Sequence, residues 1–126
     1  MKLSVISFQN PSKGKHPRFS DIYEQAFSNE SNEKFRQVVQ AMLALLRHLE
    51  NEVDAPEHWV CFSHGDLMFY SKDIENFNRD FNDARRLQVG MAEEEPGVYQ
   101  VGNRTTNDVR IAGEWIRQIL QSPENV

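Results

Sequence analysis

Apolar residues along this chain follow two rhythms, and the switching between them marks out nine elements. The strongest run is helical. Phe35, Val38, Val39, Met42, Leu45, Leu46, Leu49 and Val53 form one stripe, with Ser31 or Asn32 placed to cap it and Asp54-Ala55-Pro56 to end it. A helix over about 32–52 would be roughly 30 Å long at ~1.5 Å per residue, which makes it the main packing element. Leu43 lies off the stripe and widens the buried face. Ile22, Tyr23, Ala26 and Phe27 predict a shorter helix ahead of it, capped by Ser20. Ile74, Phe77, Phe81 and Ala84 predict a third helix, capped by Ser71 or Asp73. Val109, Ala112, Trp115, Ile116, Ile119 and Leu120 predict a last one, introduced by residues 105–108 and ended at Ser122-Pro123.

Between the helices the rhythm shortens to two. Residues 3–8 read as a strand stopped by Asn10-Pro11, and apolar side chains on both of its faces predict a buried central position. Residues 59–63 and 67–70 predict a hairpin, turning at Gly65-Asp66 or at His64-Gly65. Residues 87–91 and 98–101 predict a second hairpin around Pro96-Gly97. The order is β-α-α-β-β-α-β-β-α. It implies an α+β domain with a mostly antiparallel sheet of four to five strands and helices on one face. Without the first short helix, the opening part has the β-α-β-β-α-β order of ferredoxin-like folds, the topology it suggests.

At 126 residues, with 39% hydrophobic and 26% charged side chains, the chain makes a single globular domain that needs no metal or disulfide to fold. Its longest apolar stretch, from Val38 to Leu46, is broken by Gln40 and falls far short of the ~20 residues that span a bilayer. The first residues lack the apolar core of a signal peptide, so the cytoplasm is the expected compartment, and Asn103-Arg104-Thr105 is a sequon by chance. Cys61 is the only cysteine.

The net charge of −5 conceals an asymmetry. Lys2, Lys13, Lys15 and Arg18 give the first twenty residues +4 with no acid, and the remainder holds ten basic against nineteen acidic side chains, or −9. An acidic body of this kind repels phosphate backbones, which argues against nucleic-acid binding.

Several strings invite a chemical reading. Ser63-His64-Gly65-Asp66-Leu67 resembles the His-Gly-Asp-Leu catalytic loop of aminoglycoside phosphotransferases, and the resemblance implies Asp66 as a base toward a substrate hydroxyl. It covers only these few residues. The Asn, the Asp-Phe-Gly-type metal site and the nucleotide lobe that phosphoryl transfer requires have no counterpart, so a hairpin tip is the preferred reading. His58, Cys61 and His64 are zinc-ligand types, yet strand alternation turns Cys61 away from the other two. The same alternation opposes a Cys61–His nucleophile pair, and Trp59, Val60 and Phe62 predict an apolar setting that does not activate a thiol.

The loop Ser12-Lys13-Gly14-Lys15-His16-Pro17-Arg18 can hold an anion or an acidic partner through Lys13, Lys15 and Arg18, although P-loop spacing is missing. Glu93, Glu94 and Glu95 make a solvated turn that can also attract a basic partner. No cofactor or metal motif stands out. Width on the long helix from Ala41 and Leu43, with Phe77, Phe81 and Trp115, leaves room for a homodimer surface.

Two functions are therefore expected. The first is a small acidic module that docks on another protein, as an inhibitor, immunity-type or chaperone-like regulator. The second is a small-ligand or anion binder, or an enzyme, built on His64, Asp66 and the basic loop.

Overall fold

The computed structural model describes residues 1–6, 18–52, 57–63, 65–80, 86–92 and 97–121. Ten elements follow in chain order: β1 (Leu3–Val5), α1 (Phe19–Ala26), α2 (Glu33–Glu50), β2 (His58–Ser63), β3 (Asp66–Tyr70), α3 (Phe77–Asp80), β4 (Arg86–Met91), β5 (Tyr99–Val101), β6 (Arg104–Thr106) and α4 (Val109–Gln121). The α+β class and the antiparallel character of the sheet are as the sequence pattern predicts. The sheet is larger, with six strands instead of four to five, in the order β1-β2-β3-β4-β5-β6. β1 runs parallel to β2, and every later neighbour is antiparallel.

The extra strand is β6. Arg104-Thr105-Thr106 has no apolar rhythm, and what makes it a strand is pairing: Val101 stands opposite Arg104 across the turn at Gly102, whose φ is +62°. β1 also departs from expectation. It is three residues long and lies at the end of the sheet, not its centre. It is apolar on both sides because Leu3 joins the main core while Ile6, just past its end, packs under the opposite face.

Helices α1, α2 and α4 cover one face. α2 packs between α1 and α4, and its Val38, Val39, Met42, Leu45, Leu46 and Leu49 meet Val60, Leu67, Phe69, Leu87, Val89 and Val101 from the sheet. Each large side chain so buried contributes about 1.5–3 kcal/mol. The helix starts as the sequence predicts, with the Asn32 side chain accepting from Phe35 N at 3.0 Å. Ser20 does not cap α1. Phe19 is fully buried and draws the first turn back to Arg18, and the Ser20 hydroxyl donates to Glu50 Oε1 on α2 at 2.6 Å. Of the third helix only Phe77–Asp80 is helical among the described residues; Phe81 and Ala84 lie outside them. No described helix is long and apolar enough to cross a membrane.

Candidate functional site

Strand alternation sorts the chemistry-bearing side chains onto two faces. Val60 and Phe62 on β2, and Leu67 and Phe69 on β3, point to the helices. Trp59, Cys61, Met68 and Tyr70 point the other way, where they pack with Ile6 and Ile74 in a second small cluster. His58 belongs to the rungs of the helix-covered face and Cys61 to the opposite one, so the two cannot converge on one ion. No metal-holding group of three such residues occurs among the described residues. Burial pushes the Cys61 thiol up, against the opposing effect of the Tyr70 hydroxyl 3.6 Å away.

Ser63 pairs with Asp66, so Asp66 belongs to β3 and a turn centred on Gly65-Asp66 does not form. Gly65 has φ +88°, a conformation that suits glycine. Its surroundings are as restrictive as its backbone: a Cβ there would lie 3.1 Å from the Phe35 ring. The Tyr23 hydroxyl donates to Gly65 O at 2.7 Å, pinning the turn to α1. Beneath it Tyr23, Phe27, Phe35, Phe62 and Phe19 form an aromatic cluster with ring separations of 5.0 to 6.0 Å. Burial first, and then the negative charge of Asp66, hold the Tyr23 hydroxyl above the ordinary phenol range.

Asp66 therefore starts β3 from an anchored turn, on the face away from the helices. One rung past the Leu67–Val89 pair it lies over Gly90 of β4, and Gly90 in turn pairs with Gln100 of β5 and Gln100 with Thr105 of β6. The carboxylate occupies the space where a Gly90 side chain would begin: Oδ1 is 2.4 Å and Oδ2 3.4 Å from an ideal Cβ. Asp66, Gln88, Gly90, Met91, Gln100 and Gly102 line a cavity of about 150 Å³.

A larger recess, about 530 Å³, opens between α1 and α2. Phe27, Val39 and Leu43 supply its apolar side chains; Asp21, Glu24 and Arg36 bring charge to it. Each charge has a partner, Asp21 with Arg18 at 3.6 Å, Glu24 with Arg47 at 3.1 Å and Arg36 with Glu33 at 3.5 Å. Leu43, predicted to widen the buried face of α2, is buried.

Of the residues the sequence singles out, Arg18 is exposed beside α1 and Asp66 lines the small cavity, where Arg18 takes no part. Lys13, Lys15, His64, Glu93, Glu94 and Glu95 lie outside the described residues. The α1–α2 recess and the partners of Asp66 escape sequence reading. Gly90 carried the one available signal, since an isolated glycine within a strand marks a close approach. No family model, curated protein or solved structure matches this chain.

Proposed function

We propose that the protein is a small protein-binding module that docks on a partner through the α1–α2 recess, as an inhibitor, immunity-type or chaperone-like regulator in the cytoplasm. The observation that carries this reading is the recess itself, a cavity of about 530 Å³ that combines Phe27, Val39 and Leu43 with the carboxylates of Asp21 and Glu24. Such a recess takes a large apolar or aromatic anchor from the partner, the kind of side chain that dominates interface energetics. The −9 charge carried beyond residue 20 favours a basic partner by steering its approach, and the Glu24–Arg47 ion pair bridges α1 and α2 beside the recess.

Gln25 and Gln40 are exposed at the recess and can be enlarged without disturbing the core. Tagged wild-type chain, expressed in its native host, is expected to retain one stoichiometric partner, and Gln25→Trp and Gln40→Trp are each expected to release it with an unchanged thermal midpoint. Absence of a stoichiometric partner, or its retention by both filled variants, refutes the reading.

A further inference from the structure

We propose that the chain forms a symmetric dimer through β6 and the overhanging flank of α4, with Thr105 pairing with Thr105 of a second copy so that the two sheets run on as one. The surface lies at the opposite end of the sheet from β1 and takes no residue from the α1–α2 recess.

The backbone decides which groups of β6 point outward. On β5 and its ends, Gly102 N–H donates to Gln88 O at 3.0 Å and Val98 O accepts from Ala92 N–H at 2.8 Å, so the even-numbered residues face β4. Tyr99 and Val101 therefore face β6, where they pair with Thr106 and Arg104. Thr105, opposite Gln100, is left with its N–H and C=O directed away from the sheet, and it is exposed. Since β6 ends the sheet among the described residues, Thr105 is an open ladder position.

A helix overhangs that edge. Pairing with Val101 carries the Arg104 side chain to the helix-covered side, and its guanidinium lies 4.0 Å over the Trp115 ring. Gly113, about half a turn from Trp115, packs instead beside His48 of α2. So α4 turns one flank to α2 and the other past β6. The second flank carries Ile111, Trp115 and Ile119, successive residues of one helical row. Trp115 and Ile119 are only partly buried, and Ile111 is 43% exposed, the one large apolar side chain so exposed among the described residues. An apolar row beside an open strand edge offers a neighbour backbone groups and side-chain contact together.

The occupant that fits is a second copy. One outward-facing residue offers two backbone hydrogen bonds, too few to offset the ordering of a flexible peptide strand. A copy of the same edge is already rigid. A two-fold axis at Thr105 exchanges both bonds and sets the two Ile111–Trp115–Ile119 rows side by side. Charge agrees with this register. Arg104 stands opposite Thr106 of the other copy, not opposite a second Arg104, and at the end of the strand that leads to Asp108. Among the described residues Arg104 has no carboxylate partner, and Asp108 meets its own Arg110 only at 3.7 Å, so opposite charges approach across the axis twice.

Sedimentation of the folded chain over a wide concentration range is expected to show a monomer–dimer equilibrium. Hydrogen exchange at the Thr105 amide should slow as the dimer forms. Thr105→Pro removes the outward donor without touching the bonds to β5, and proline is tolerated on an edge strand. Ile111→Glu puts a charge on the exposed row of each copy. Each variant is expected to weaken dimerisation about tenfold or more, with the thermal midpoint of the dilute monomer unchanged. In Ile111→Glu the Thr105 amide should exchange fast at concentrations where wild type protects it, and this variant carries the test should Thr105→Pro lose its fold. A chain that stays monomeric throughout overturns the proposal and leaves the edge to a strand of a different protein. A dimer that both variants leave intact, or whose formation leaves Thr105 exchange unchanged, overturns it too. Gln25→Trp and Gln40→Trp are expected to dimerise as wild type does, which separates this surface from the docking reading.

Discussion

The Asp66 carboxylate lies over Gly90 on the neighbouring strand, with Oδ1 only 2.4 Å from where a β-carbon would stand. Neither residue can be understood alone. Replacing Gly90 with alanine relieves the entropic cost of glycine in a strand, about 0.5–1 kcal/mol, but forces the carboxylate aside. Overpacking of this kind costs typically 1–3 kcal/mol, so Gly90→Ala is expected to destabilise by about 1 kcal/mol. In an Asp66→Ala background the same change should be neutral or stabilising. Urea denaturation of the two single variants and the double variant measures that coupling.

Tyr23→Phe removes a buried hydrogen bond and strands the Gly65 carbonyl, at an expected cost of about 1–3 kcal/mol. Tyr99→Phe loses a similar bond to Ala41 O, 2.8 Å long and only partly buried, and should cost less. Burial holds both phenols, and that of Tyr70, above their ordinary ionisation range. The stability gained from keeping them neutral is complete below pH ~10, where the unfolded phenols stay protonated, and falls as pH rises beyond it. Thermal midpoints against pH should show this alkaline decline, shallower in Tyr23→Phe.

Asp80 shows the opposite sign. Its carboxylate accepts from Arg79 Nε at 2.8 Å and from the backbone N–H groups of Asn76 and Glu75 at 3.1 Å, and these bonds, Arg79 first, hold its ionisation below the usual carboxylate range. The stabilisation is present above pH ~3.9 and is lost as pH falls further, through the folded-state value. Hydrogen exchange at Glu75 and Asn76 should accelerate in acid. Asp80→Ala should show fast exchange there at every pH.

Cys61 packs against the Ile6–Tyr70–Ile74 cluster, and its burial raises the thiol. Alkylation near neutral pH should be much slower than that of a thiol in the unfolded chain. Ile74→Ala is expected to destabilise by about 2–5 kcal/mol and to speed the reaction. An equally slow reaction in that variant would show that Ile74 does not shield the sulfur.

Where local physics dominates, the sequence was legible. The α2 stripe is long enough to repeat its period five times, and Asn32 caps it as its side chain predicts. The alternating runs of β2 to β5 are bounded by turn residues, and β4 and β5 pair within a residue or so of expectation. The small site was half legible: Asp66 stood out by its neighbours in the chain, whereas its meeting with Gly90 across the sheet did not.

Chain order and hydrophobic period determined the α+β class, the long helix and the sorting of side chains to opposite faces of each strand, because all three follow from backbone repeat and burial within a few consecutive residues. Tertiary structure alone decided that β1 closes one end of the sheet, that Arg104-Thr105-Thr106 becomes a sixth strand, and that Asp66 meets Gly90 and Gln100. Those outcomes depend on hydrogen bonds and steric fit between segments far apart in sequence, and no local pattern encodes a contact whose two halves lie in different strands.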